Sequence, residues 1–213
     1  MTGPATGRAY RGQLPEARRA DRRRRLLDAA LELYGTVGYA NTTIAQLCRE
    51  SGVAPIKFYE EFGTKEALLL SLCEETFGRT MAALVEAVDA APLDVEARSR
   101  AGIAVLCHDL LGDPRRARVL CIEMTGVSPT LDRRRREVLD GVGAFLFMQM
   151  DMLGQAAGRP LYPDPLRRRI VVRSAIGGIN ETLIGWLLDD EPPPIDRLVD
   201  VLTEMFVLAT RVS

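Results

Sequence analysis

Histidine is nearly absent from this chain: His108 stands alone in 213 residues, with one tryptophan and four cysteines. Cys48, Cys73, Cys107 and Cys121 are scattered, without CxxC or any other metal-ligand spacing, so no metal site is expected. GxSxG is missing, as is a glycine-rich loop able to cradle phosphate, and the common hydrolytic and nucleotide chemistries therefore lack their parts. The paired acids at 74–75 and 189–191 fall on a helix surface and at a helix end, where acids are ordinary. No catalytic residue and no cofactor is expected. Long apolar runs are lacking too. "VGAFLFMQMDML" is interrupted by Gln149 and Asp151 and is too short to span a bilayer. The first 25 residues hold no apolar stretch of the kind a signal peptide needs. The expectation is a soluble cytoplasmic protein, its cysteines buried as small hydrophobes in a reducing compartment, with no membrane partner.

What is present is apolar material and unevenly placed charge. Apolar residues make up 47% of the chain, enough for a sizeable core. The net charge is only −1, yet residues 1–66 carry 11 Lys/Arg against 8 Asp/Glu, and residues 67–213 carry 17 against 21. Eight arginines fall within the first 25 residues, most of them in "RRADRRRR" at 18–25. Such a run is usually a solvated face; beside a DNA-reading unit it would add affinity without sequence preference. The "RRRR" at 133–136 lies early in an amphipathic helix and reads as a solvated face.

No β alternation appears anywhere. Residues 1–14, rich in Gly, Pro and Arg, read as a flexible arm, and helical periodicity begins near Pro15. Leu27, Ala30, Leu31 and Tyr34 share one face, and Gly35 and Gly38 are expected to end that helix. Thr43 and Thr64 are expected N-caps, and Gly52 a C-terminal stop. Long helices follow over about 65–89, 95–111, from Pro114 towards "TGVSP", 129–157, 165–189 and 195–211. The fold class is all-α: an N-terminal three-helix helix-turn-helix domain and a larger C-terminal helical bundle, about nine helices in all. The expected divisions are a basic arm at 1–19, a DNA-binding domain at 20–64, and a ligand-binding and dimerisation domain at 65–213.

The stretch "GVAPIKFYEEFGTKEALL" interrupts these long helices with a short one. Two short helices joined at a glycine make a helix-turn-helix, whose second helix normally enters the major groove. Phe58 and Phe62 share the face expected to pack inward, while Ile56, Lys57, Tyr59 and Glu60 fan across the other. Ile56 suits a thymine methyl, Lys57 a guanine edge or phosphate, and Tyr59 a phosphate. Thr42 or Thr43 at the start of the preceding helix, and Lys65 at the start of the next, are expected at further phosphates.

"LLDAALELYGTVGYANTTIAQLCRESGVAPIKFYEEFGTKEALLLSLCEE" resembles the N-terminal DNA-binding domain of TetR-like transcriptional regulators, over about residues 22–75. The resemblance implies that Thr43 to Phe62 form the helix-turn-helix, with Pro55, Ile56 and Lys57 at base-reading positions and Tyr59 and Lys65 at phosphates. Pro55-Ile56-Lys57 replaces a small Gly/Thr pair frequent there, and Glu61 stands where histidine is common. Both departures bear on the operator sequence rather than on DNA binding.

In "RSAIGGINETLIGWLLDD" apolar residues surround the helix nearly all the way round, so it needs burial on every side. A dimer supplies that, and the resemblance implies an interface of the last two long helices. Gly177, Gly178, Gly185, Leu198, Leu202 and Met205 are the expected contacts. A ligand pocket is expected inside the bundle, lined from Phe77, Met81, Leu106, Phe145, Met148, Met152 and Trp186, with His108 a candidate polar contact. The reading is a homodimeric repressor released from a palindromic double-stranded DNA operator by a small, largely apolar or amphipathic ligand. The alternatives are a helical protein-interaction adaptor or a small all-α enzyme.

Overall fold

Side chains mark most helix starts in this chain. Thr43, Thr64, Asp94, Asp113, Ser128 and Asp164 each occupy an N-cap and accept a hydrogen bond from a backbone N–H in the first turn that has no partner within the helix. Proline is the first residue of four of the helices that follow a described N-cap, where its missing N–H costs nothing. A computed structural model of the protein describes residues 15–211. The described residues form nine α-helices and no strand: α1 Pro15–Thr36, α2 Ile44–Ser51, α3 Pro55–Glu61, α4 Lys65–Ala90, α5 Val95–Leu111, α6 Pro114–Arg118, α7 Pro129–Ala156, α8 Pro165–Leu188 and α9 Ile195–Arg211. None is long and apolar enough to cross a membrane.

The first core gathers α1, α2, α3 and the beginning of α4. Leu26, Tyr34, Leu47, Phe58, Leu68 and Leu69 are fully buried in it. α4 begins at Lys65, where the second division was expected to start, and its first turns pack in the N-terminal core. A second core joins α5, α6, α8 and α9 around Cys107, Leu111, Ala117 and Leu183, and a third joins α7 and α8 around Met150, Leu161 and Val172.

Two local features add to the sequence reading. Gly35 is the penultimate residue of α1, which ends at Thr36 as expected. A Cβ there would stand 2.4 Å from Arg115 Cβ and 2.8 Å from its Cα, so glycine is what lets α6 approach α1. Second, the helix expected to run on from Pro114 stops at Arg118 and widens into a π-helical turn, Val119–Glu123. The wider turn sends Val119 into the N-terminal core and Cys121 into the second core. Such turns are rare and often sit at functional sites.

Candidate nucleic-acid interface and internal cavity

α2 begins with a reciprocal cap. Thr43 Oγ1 accepts from Gln46 N (3.2 Å), and Gln46 Oε1 accepts from Thr43 N (2.8 Å). It ends at Gly52, whose φ of +63° is the left-handed conformation glycine adopts without cost. Val53 N then donates to Cys48 O (3.1 Å), turning the chain sharply into α3. Phe58 is fully buried, and the rest of α3 is oriented around it. The consequence is an outward face with Ile56 69% and Tyr59 55% exposed, and Pro55 and Thr43 also open. The Lys57 ammonium lies beside them, paired with Glu60 at 2.7 Å. This pair is half exposed and easily exchanged for another anion.

Two of the expected contacts are placed differently. Thr42 is buried and its hydroxyl donates to Gly38 O (2.8 Å), so it closes the α1–α2 turn and offers nothing to a phosphate. Lys65 Nζ donates to Tyr39 O (2.8 Å) and Thr42 O (2.7 Å) and lies 4.1 Å from the Tyr39 ring centre. Burial lowers its pKa. Two of its three N–H groups are thus committed to tying the start of α4 to the α1–α2 turn, leaving one for a phosphate.

Of the basic arm expected at 1–19, residues 1–14 lie outside the described residues; 15–19 are helical, as the periodicity from Pro15 suggested, and the arginines beyond hold the reading unit together. Arg19 Nε and Arg22 Nη2 both donate to Glu61, each at 3.0 Å. Burial alone would raise the Glu61 carboxyl, but hydrogen bonds and charge from the two arginines outweigh it and hold it below the usual range. Arg25 donates to Ser51 O (3.2 Å), and the Arg23 guanidinium lies 4.5 Å from the Phe62 ring centre. α1 therefore clamps the C-terminal ends of α2 and α3.

Between α4, α5, α7, α8 and the π turn lies an overwhelmingly apolar cavity of about 230 Å³. Of the expected residues, Phe77, Met81, Leu106 and Phe145 line it. Met148 and Met152 instead face outward on α7. His108 lies outside, hydrogen-bonded through Nε2 to Asp196 (3.0 Å), and Trp186 is turned away, its Nε1 donating to Pro193 O (2.8 Å). The sequence reading missed the polar lining: Arg98 and Gln149, both buried, and Arg134 and Arg135, which were assigned to a solvated face. Arg98 was detectable, since it shares a stripe with Val95 and Gly102 at helical spacing. Cys73 and Cys121 also line the cavity, and burial pushes their thiols up to about 12 and about 11.

The cavity is joined to the reading unit by short polar contacts. Glu123, the last residue of the π turn, accepts from Tyr39 N (2.7 Å) and from Arg118 Nε (3.0 Å). Ser128 Oγ donates to Glu66 Oε1 (2.6 Å), and Arg115 bridges Glu32 of α1 and its own neighbour Asp113. Leu120, Cys121 and Met124, which flank or form that same turn, face the cavity.

α8 and α9 leave apolar surface open. Ile170, Leu188, Met205 and Leu208 are exposed, Met205 by 62%, and nothing lies within 4 Å of where a Cβ would stand on Gly177, Gly178 or Gly185. Leu198 and Leu202, expected at a dimer interface, are instead buried in the chain's own second core.

Residues 26–72 match the family model of bacterial regulatory proteins of the tetR family. Over 184 residues the chain is 24% identical to the fatty acid metabolism regulator protein of Bacillus subtilis, covering 85% of this chain and 92% of that one. Two solved structures share the fold with a TM-score of 0.78. One is the transcriptional regulator FadR from Bacillus subtilis in complex with stearoyl-CoA, 23% identical over 87% of this chain and 98% of that one. The other is the fatty acid degradation regulator FadR from Bacillus halodurans, 22% identical over 92% and 97%. The matched domain coincides with the α1–α4 unit that presents Ile56, Lys57 and Tyr59, so residues 26–72 form a helix-turn-helix domain of the kind found in bacterial regulatory proteins of the tetR family.

Proposed function

We propose that this chain is a cytoplasmic, homodimeric repressor that releases a palindromic operator when an acyl-type apolar or amphipathic ligand fills its cavity. The observation that carries the reading is the hydrogen bond from Tyr39 N to Glu123, because it joins a cavity-lining turn to the reading unit without any intervening residue. Residues 20–64 hold the reading head and 65–213 the ligand and dimer surfaces. Ile56 takes an apolar base contact, Lys57 exchanges Glu60 for a guanine edge or phosphate, and Tyr59, Thr43 and the remaining N–H of Lys65 take phosphates. The open apolar face of α8 and α9, with Gly177, Gly178, Gly185 and Met205, is the surface that a second copy covers. The Bacillus subtilis FadR structure holds stearoyl-CoA, which supports an acyl chain as the occupant of the apolar cavity here.

A ligand that prefers one arrangement of Leu120, Cys121 and Met124 changes the position of Glu123 and, through Tyr39, the α1–α2 turn. In a dimer this alters the distance between two reading helices, and operator affinity falls. The test is fluorescence anisotropy with DNA from upstream of the chain's own gene, at two salt concentrations, followed by a titration of long-chain acyl ligands. Expected are tight, salt-sensitive binding to one palindrome, a loss of about 1–3 kcal/mol in Lys57→Ala, and release by the ligand. Binding to no DNA at low salt would refute the reading head; binding that no acyl ligand relieves would refute the switch.

A further inference from the structure

A buried polar pair interrupts the apolar wall of the cavity. Arg98 of α5 and Gln149 of α7 are 9% and 6% exposed, and Arg98 Nη1 donates to Gln149 Oε1 at 2.6 Å. That bond leaves Arg98 Nε and Gln149 Nε2, both buried, without a partner. No carboxylate of the described residues pairs with Arg98, unlike Arg115, Arg118 and Arg134, each of which has one. A buried cation without an anion, beside unpaired donors, is costly and needs a reason. Arg98 would be cheaper as a methionine, since its neighbours on the cavity wall are Val95, Gly102, Leu146 and Leu153.

We infer that Arg98 and Gln149 form the binding site for a carboxylate carried by the cavity ligand. A guanidinium presents parallel N–H groups that match the two oxygens of a carboxylate, and Gln149 Nε2 supplies a further donor from the facing helix. The anion would neutralise the buried charge of Arg98, and the surrounding apolar wall takes the hydrocarbon. The inference rests on the acyl-ligand reading and narrows it: the effector is a free carboxylic acid with an apolar chain, bound with its charged end at the inner arginine. A thioester or an alcohol of the same chain lacks the charge that Arg98 calls for. The cationic groups at the other end, Arg134 and Arg135, lie where α7 approaches Glu74, and Arg134 is already paired there.

The probes are decanoate, decan-1-ol and decanoyl-CoA, titrated calorimetrically into the full chain. Wild type should bind decanoate on the order of 10- to 100-fold more tightly than decanol, the worth of a charge-assisted hydrogen bond. Arg98→Met should lose that preference and keep the affinity for decanol, and Arg98→Lys should restore part of it. The melting temperature of the ligand-free protein should rise in Arg98→Met, because an unpaired buried charge is removed; a fall in melting temperature with the acid preference intact would make Arg98 structural and overturn the inference. Equal binding of acid and alcohol by wild type, or decanoyl-CoA binding more tightly than the acid and indifferent to Arg98→Met, would overturn it while leaving the acyl-ligand reading standing. If none of the three binds, the acyl-ligand reading falls and takes this inference with it.

Discussion

Replace Glu61 by glutamine. The carboxylate is only 2% exposed and meets Arg22, 24% exposed, and Arg19, 67% exposed. The Arg19 contact is screened by solvent and contributes about 0.5 kcal/mol, whereas a sheltered charge-assisted bond such as that to Arg22 contributes about 1.5–3 kcal/mol. The variant keeps one acceptor oxygen but loses the charge, so the expected loss of unfolding free energy is about 2–3 kcal/mol. For a chain of this size that is about 5–10 °C in melting temperature. The pH dependence follows from the lowered Glu61 pKa. A carboxyl whose folded pKa is depressed contributes its stabilisation above the unfolded value, about 4.3, and loses it as pH falls through the folded value. Wild type and variant should therefore differ by a constant amount from pH 6 to 8 and converge in acid. Urea unfolding at fixed protomer concentration, read at several pH values, measures both. A difference under 0.5 kcal/mol at pH 7 on the scale of exposed pairs, or one that persists unchanged below both pKa values, would refute the clamp and return the arginines to a solvated face.

Three further outcomes follow from the packing. Gly35→Ala places a methyl against the Arg115 backbone and should cost about 1–3 kcal/mol by overpacking, with a weakened ligand response in the DNA assay because α6 is pushed from α1; unchanged stability would mean that α6 yields freely. Met205→Glu puts a charge on the open face of α9 while leaving the protomer core alone, and sedimentation should then show a monomer that keeps its helical circular dichroism. Cys73, Cys107 and Cys121, pushed by burial from 9.0 to about 12, 11 and 11, should resist a thiol reagent at pH 8 in the folded protein and react on unfolding. Raised thiol pKa values also mean that stability is intact below about pH 9 and declines as pH climbs towards the folded values.

Helix boundaries were legible because each is written locally: a capping Thr, Ser or Asp, a proline in the first turn, a glycine at the end of α2. The reading face was legible for the same reason, since Phe58 and Tyr59 are adjacent and only one can face inward. Contacts across long sequence separations were not. Nothing in "RRADRRRR" announces that Glu61, some 40 residues on, will collect Arg19 and Arg22. The π turn escaped because "VLCI" is apolar throughout and carries no period to betray a changed helix. In α7 the cavity stripe passes through Val142, Phe145, Gln149 and Leu153, and Met148 and Met152 fall just to its side. Composition suggested the wrong members of a correct helix. Trp186 was misplaced for a related reason, since a helix apolar on nearly all sides does not say which side faces the chamber.

The open apolar side of α8 and α9 has a further consequence for dosage. When the reading unit must be present twice on one protein–DNA complex, occupancy at low abundance follows the square of protomer concentration rather than its first power. Halving the cell's supply of this chain would then cut the assembled regulator about fourfold by mass action. A gene controlled this way responds sharply to dilution at cell division or to a change in its regulator's synthesis, before any effector is involved. In the proposed dimer, the glycines that leave space along α8 would bear on a threshold in copy number as well as on the packing of helices.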